Sequence, residues 1–344
     1  MKKDINVGII GLGKMGILHM GILNALDSVK VKAITEKEKG NFLLSGIKKY
    51  LPEIEIYNDY IKMLDKSDID VVYITTPTKY HVTMARDCLE REIPFFVEKP
   101  LGRSAKECES LIEEGKQKEI VNMVGYNRHF IDTFQKAKEL LDSGIIGEPV
   151  YVRSHMYVSQ LFSKSKGWRY RKEESGGGVL NTLATHLVDV LIWFFGDITS
   201  VFSNAKSYYS KEVEDFIHSY IIFENGLEGY MDSSWSVRNY RLPEIKIEVE
   251  GENGSLMVTE DYVKYQLDST NVIRTIYKQE LYRGVEIDIG GSEYTKENVY
   301  MIEHVRKNEQ TDLDIFYAYK IQTVTDAMYE SIEKKKQIDV IYTV

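Results

Sequence analysis

An apolar run, Phe95, Phe96 and Val97, stops on Glu98, Lys99 and Pro100. Side by side, these three offer an acid, an amine and a fixed backbone angle. A lysine becomes a general base when desolvation or a nearby cation lowers its pKa, whereas a carboxylate such as Glu98 favours the ammonium form. Proline fixes its own φ and disfavours helix at the residue before it, so Lys99 is expected extended at a strand end. A cis Lys99–Pro100 peptide would aim the side chain sharply. The second candidate base is His186, in "GGGVLNTLATHLVDVL". His186 and Asp189 are three apart on one helical face, and Thr182 lies one turn before the histidine. A threonine hydroxyl donates and accepts hydrogen bonds but is no base near neutral pH.

Gly11, Gly13 and Gly16 form G-x-G-x-x-G directly after "INVGII" and before a helical pattern. In that context the first glycine allows the tight turn, the second lets backbone approach a pyrophosphate, and the third permits close helix–strand packing. Glu36, about twenty residues on, can accept from both ribose hydroxyls and would repel a 2′-phosphate. The expected cofactor is therefore NAD, with NADP as the alternative, because Lys37 reads either as a solvated charge or as a phosphate contact. Thr76 and Pro77, like Glu98 and Lys99, fall at the carboxyl ends of strands, where open α/β sheets bind ligands.

These residues need a scaffold. Short apolar runs alternate with helical patterns up to about residue 125, which predicts βαβ units and a doubly wound parallel sheet of Rossmann type. Beyond a helix closed by Gly144 and Gly147, long period-two stretches such as "PVYVRSHMYV", "FIHSYIIFE" and "IKIEVEG" predict hairpins, with turns at "ENG" and "GENG". The fold class is α/β, residues 1–125 binding a dinucleotide. Residues 126–344 form an α+β domain on an open, mainly antiparallel sheet that binds substrate and pairs subunits.

Composition narrows the partners. The 344 residues are 43% hydrophobic and 28% charged, with a net charge of -9. No basic patch points to nucleic acid and no Lys/Arg cluster points to lipid, so a small molecule is the expected ligand, and no metal site is expected. The apolar "INVGIIGLG" after "MKKD" is too short for a leader or a span. Cys88 and Cys108, both on helical patterns, suit reduced thiols. A cytoplasmic enzyme is the expectation.

The segments "GIIGLGKMG", "TTPTKYH", "VEKPLG", "GYNRHF" and "SGGGVLNTLATHLVD" occur in this order. Together they resemble the Gfo/Idh/MocA oxidoreductase family, named for glucose-fructose oxidoreductase and inositol dehydrogenase, over essentially the whole chain. The resemblance implies an N-terminal Rossmann domain and a C-terminal sheet domain whose exposed face pairs subunits as a homodimer or homotetramer. It implies that Gly11, Gly13, Lys14 and Met15 wrap the pyrophosphate and that Glu36 meets the adenosine ribose. Thr76, Pro77 and His81 would border the cofactor, with Glu98 and Lys99 near the nicotinamide ribose and ring. Lys99 is also the family's usual substrate contact. Asn127 would close over the nicotinamide, and Trp168 and Arg169 resemble a segment folded over the cofactor. Inositol-dehydrogenase-like members carry an aspartate at the position of Thr182, four residues before the histidine, so here the acid is missing.

Oxidising a secondary alcohol requires holding its carbinol hydrogen at the nicotinamide and removing the hydroxyl proton. Lys99 is the expected acid/base, with His186 assisting. Arg153, His155, Tyr157, Lys164, Arg169, Arg171, Arg238 and Arg241 supply donors for the substrate. Convergence of two or three would favour a carboxylated or phosphorylated sugar, and otherwise a neutral hexose or polyol fits. Two other readings stay open: an NADPH-dependent keto-sugar reductase, and a catalytically silent NAD sensor.

Overall fold

A computed structural model describes residues 4–36, 42–163, 166–270 and 272–343, so Lys37 and Lys164 lie outside the described residues. The chain forms two compact units. The first runs to Gly102 and adds Lys106–Asn127 and Gly284–Tyr319; the second comprises Arg103–Ala105, Arg128–Arg283 and the chain from Lys320.

The first unit is built on a six-stranded parallel sheet in the order β3-β2-β1-β4-β5-β6. Its strands are β1 (Ile5–Ile10), β2 (Val29–Thr35), β3 (Glu55–Tyr57), β4 (Val71–Ile74), β5 (Phe95–Val97) and β6 (Asn122–Val124). The middle strands are apolar almost without interruption, as burial on both faces demands: β4 and β5 are buried along their whole length. The connecting helices are α1 (Lys14–Leu23), α2 (Phe42–Tyr50), α3 (Tyr60–Lys66), α4 (His81–Glu90) and α5 (Ala105–Gly115). Asp59 caps α3 by accepting from the Ile61 N–H at 3.0 Å. Cys88 and Cys108 are buried thiols in α4 and α5.

Helix α6 (Asp132–Asp142) leads into the second unit, and Gly144 (φ +66°) and Gly147 (φ +73°) follow it. Both take the left-handed conformation that ends a helix at little cost. The unit's nine-stranded sheet has the order β14-β13-β12-β11-β7-β10-β9-β8-β15. Its strands are β7 (Pro149–Tyr157), β8 (Ile198–Lys206), β9 (Phe216–Phe223), β10 (Glu228–Ser234), β11 (Glu244–Gly251), β12 (Gly254–Val258), β13 (Tyr262–Leu267), β14 (Val272–Tyr277) and β15 (Ile338–Asp339). All neighbours are antiparallel except β7 and β10. The turns at "ENG" and "GENG" join β9 to β10 and β11 to β12 as hairpins.

Alternation divides this sheet into two faces. Ile217, Ile221, Ile245, Ile247 and Val249 are buried. On the other face one register row runs Phe202, Tyr220, Tyr230, Arg153, Glu248, Met257. Phe202 is 46% exposed and Tyr230 54%. Short α7 (Lys172–Ser175) precedes one turn of π-helix, Leu180–Ala184, and then α8 (Thr185–Phe195). The run Lys172–Phe195 is long and apolar enough to cross a bilayer, but its apolar window is 83% buried within the fold, as in a core helix.

Short α9 (Lys278–Leu281) is followed by α10 (Ser292–Lys307) and α11 (Ile315–Lys334). Helix α10 and the start of α11 belong to the first unit. The Val124 N–H donates to the Leu313 carbonyl (2.7 Å), and the Ile315 N–H to Asn122 Oδ1 (2.8 Å). This return of the chain carries no signal in its own sequence pattern.

Candidate functional site

The glycine loop is closed where the helix meets the strand and open where an anion would lie. Gly11 has φ +93°, a conformation other residues rarely adopt. A Cβ on Gly16 would come within 2.0 Å of the Gly11 carbonyl oxygen and 2.8 Å of Thr75 Oγ1, whereas one on Gly13 would meet nothing within 4 Å. Thr75 Oγ1 holds the turn by donating to the Gly11 carbonyl at 2.7 Å. No side-chain cap bonds the N-terminus of α1, and its first turn carries no acid, so its amide groups and positive end suit a phosphate. Lys14 is exposed and Met15 half-buried at this edge. Glu36, at the end of β2, accepts from the Leu12 N–H at 2.9 Å, which ties a carboxylate to the loop.

The other predicted cofactor residues sit after β4, β5 and β6. Thr76 and Pro77 form the half-buried turn before α4. His81 is 1% exposed and joins two of these turns: Nδ1 lies 2.8 Å from the Pro100 carbonyl oxygen and Nε2 2.8 Å from that of Thr76. Only a doubly protonated ring donates to both. Burial is the larger influence and lowers the His81 pKa despite the two carbonyls. Asn127 is buried, and its Oδ1 has no hydrogen-bond partner among the described residues, so an acceptor remains for a ligand's donor.

Lys99 is half-buried and its peptide to Pro100 is cis. Glu98, 13% exposed at its side chain, lies 3.2 Å through Oε1 from His19 Nε2. Its Oε2 accepts from the Lys99 N–H at 3.2 Å. Burial opposes ionisation of Glu98, but the hydrogen bond and charge from His19, with Lys99 and His81, outweigh it and hold the carboxyl below its ordinary range. His19 is fully buried on α1, meets Asn298 of α10 through Nδ1, and packs against Tyr73 and Phe96 with centroids at 5.4 and 4.9 Å. Sequence reasoning passed over His19, although one imidazole inside the apolar "KMGILHMGIL" was a signal. Asn298 is 279 positions away and gave none.

In the second unit, three glycines precede the histidine helix for steric reasons. A Cβ on Gly176 would come within 2.4 Å of the Arg103 carbonyl oxygen, one on Gly177 within 1.8 Å of Tyr329 Oη, and one on Gly178 within 2.1 Å of the Glu214 carbonyl oxygen. The Glu214 carboxylate accepts from the Gly178 and Leu180 N–H groups and from Tyr329 Oη, all at 2.9 Å through Oε1. Burial nonetheless raises its pKa. His186 is buried on α8. Thr182 Oγ1 donates to the Gly178 carbonyl at 2.7 Å, so its proton is held by backbone. Asp189, fully buried, pairs through Oδ1 with His129 Nε2 at 2.7 Å, and the His129 ring stacks on Trp193 with centroids 4.1 Å apart.

Arg153, Arg169, Arg171, Arg238 and Tyr157 are each engaged with a neighbour of their own. Arg153 Nη2 lies 3.9 Å from Glu250, and Arg171 pairs with Glu174 at 2.6 Å. Exposed Arg169 lies over half-buried Trp168 at 5.2 Å, and Arg238 over Phe162 at 5.0 Å. Exposed Arg241 is a residue of the turn before β11. Tyr157 donates to Asp232 Oδ2 at 3.0 Å and stacks on His155 at 4.4 Å; burial, with Asp232, raises its pKa. Asp232 also contacts His218. Tyr157 and His155 alternate with buried Ser154 and Met156, which places them on the open face of the sheet. Among the described residues, no group of three or more His, Cys, Asp or Glu is placed to hold a metal ion.

Comparison with known proteins fits this arrangement. The model of an oxidoreductase family with an NAD-binding Rossmann fold matches residues 5–126, and that of the GFO/IDH/MocA C-terminal domain matches residues 134–257. The chain is 28% identical to the uncharacterized oxidoreductase YrbE of Bacillus subtilis over 265 residues, 74% of each chain. It is 25% identical to myo-inositol 2-dehydrogenase of Thermotoga maritima over 259 residues, 73% of this chain and 74% of that one. A solved structure of levoglucosan dehydrogenase in complex with NADH superposes with a TM-score of 0.89 at 24% identity, covering 98% of this chain and 100% of that one, and so shares its fold. With both domain models matched in order, the chain belongs to the GFO/IDH/MocA family of oxidoreductases and carries that family's NAD-binding Rossmann domain.

Proposed function

We propose that this protein is an NAD-dependent dehydrogenase that oxidises a secondary hydroxyl of a neutral sugar or polyol, with Lys99 as acid/base and His186 assisting. The observation that carries the reading is the carboxyl end of β5, where half-buried Lys99 stands in a domain whose glycine loop leaves room for a pyrophosphate. Bound there, the nicotinamide ring would supply the acceptor for the hydride that leaves the carbinol carbon. The chain's own residues do the rest. Gly11, Gly13, Lys14 and Met15 would hold the pyrophosphate, Glu36 the adenosine ribose, and Thr76, Pro77, Asn127, Trp168 and Arg169 the remainder of the cofactor. Lys99 Nζ would take the hydroxyl proton during oxidation and return it during reduction. The Glu36 carboxylate at the loop supports NAD over NADP, since it would repel a 2′-phosphate.

Neutral substrates are favoured because Arg153, Arg169, Arg171 and Arg238 are each engaged with a different neighbour. Relatives named for inositol and levoglucosan dehydrogenation point to the same class. The open sheet face, with its row of aromatic and charged residues, supports pairing of two copies. The buried thiols Cys88 and Cys108 support a reducing, cytoplasmic setting.

A second reading, a silent nicotinamide sensor, draws on Thr182, whose hydroxyl is bonded to backbone where related enzymes place an acid. NADH fluorescence titration followed by oxidation assays on myo-inositol, scyllo-inositol, glucose and levoglucosan, with NAD and then NADP, separates these. Turnover with NAD supports the dehydrogenase; NADH binding with no turnover of any compound sinks it in favour of the sensor. Better turnover with NADP overturns the cofactor preference. Sedimentation as a monomer would remove the pairing proposal.

A further inference from the structure

Glu98 is bonded at both of its oxygens within the first unit. Oε1 faces the fully buried His19, and Oε2 accepts from the backbone N–H of Lys99 itself. An ionised carboxylate only accepts, so the His19 proton that meets it is on Nε2. At the far side of the ring, the amide oxygen and nitrogen of Asn298 lie 3.1 and 3.0 Å from Nδ1, and Asn298 Nδ2 also donates to the Tyr294 carbonyl at 2.7 Å. Either protonation state of Nδ1 therefore finds a partner. Ring contacts with Tyr73 and Phe96 leave the imidazole little freedom to turn. His19 belongs to α1, the helix that begins at the glycine loop.

Resting on the reading of Lys99 as acid/base, we propose that His19 is a positioning residue: through Glu98 it fixes the backbone of Lys99 to the helix that opens at the glycine loop. The bracket thereby ties the residue that handles the proton to α1 without itself touching the glycine loop. Removing the donor leaves a buried carboxylate without its hydrogen bond and the Lys99 amide on a carboxylate that is free to turn. A displacement of about 1 Å at the reacting group costs roughly a hundredfold in rate.

The test compares wild type with His19→Leu, His19→Gln, Glu98→Gln and the Leu/Gln double variant. NADH titration gives cofactor affinity, and oxidation of myo-inositol or the best compound of the panel gives kcat. His19→Leu is expected to lower kcat about a hundredfold with the Kd for NADH within about threefold, and glutamine, which still donates, to recover about tenfold. In the Glu98→Gln background the same leucine should cost less than about threefold, because the two residues act as a unit. Equal losses in both backgrounds, an unchanged kcat, or NADH binding lost in step with turnover would each overturn the proposal. If wild type oxidises nothing, the proposed function falls by itself. The bracket is then judged by histidine nitrogen–proton NMR and lysine labelling. A His19 Nε2–H signal that shifts in Glu98→Gln, with a changed rate of Lys99 acylation by acetic anhydride in His19→Leu, supports it. No change in either overturns it.

Discussion

Glu98 and Glu260 are both partly buried carboxylates that accept from a backbone N–H, yet they titrate in opposite directions. Around Glu98, burial is outweighed by a histidine at hydrogen-bond distance, and the group is held charged. Around Glu260, in the second unit, burial prevails over the Arg128 charge and the Ile245 N–H, and the pKa rises to about 7. Arg128 Nε finds no hydrogen-bond partner among the described residues. A bonded partner and a merely nearby charge are different tools. The first unit keeps an anion beside its candidate base; the second keeps acids, Glu214 among them, that hold backbone in place.

That contrast puts the variants in a definite order. Lys99→Ala should lower kcat by about a thousandfold, roughly 4 kcal/mol of barrier, while NADH titration stays near wild type. Wild-type turnover would remove Lys99 from the mechanism. Next comes Glu260. Its folded pKa is above its ordinary value of 4.5, so the folded state binds the proton more tightly. Its contribution is whole below about pH 4.5 and is lost as pH rises through about 7, on the order of 3 kcal/mol at most. Urea unfolding of wild type and Glu260→Gln at pH 5 and pH 8 should show that loss only in wild type; parallel curves would contradict it. His186→Ala should cost about tenfold in kcat or KM, a smaller loss than at Lys99, and no effect would return the residue to a packing role. Thr182→Val should change kcat less than about threefold, because the hydroxyl already donates to Gly178. A loss as large as that at His186 would show that the hydroxyl meets the substrate.

Much of the scaffold could be read from the chain because the relevant forces are local. Period-two runs gave β7, β9 and β11, and the glycine spacing gave the loop whose third position has no room for a Cβ. The place of Glu98 and Lys99 just after β5 followed from where the apolar run stops. What escaped was non-local. His19 meets Glu98 across 79 positions and Asn298 across 279, and no pattern within either segment announces its partner. The pairing of Asp189 with His129 likewise joins two motifs 60 positions apart. Tyr157, considered as a substrate donor, bonds Asp232 on the open sheet face, a placement fixed by strand register rather than residue type.

The late return of the chain to the first unit has a consequence for synthesis. Domains that are continuous in sequence fold as they leave the ribosome, the N-terminal one first. Here β6 is completed by the Leu313 carbonyl and the Ile315 N–H, and His19 by Asn298. A nascent chain that has delivered all six strands must therefore wait for nearly two hundred further residues. Until then the Val124 N–H and the His19 ring lack these partners, so completion of the dinucleotide-binding unit waits on residues 284–319.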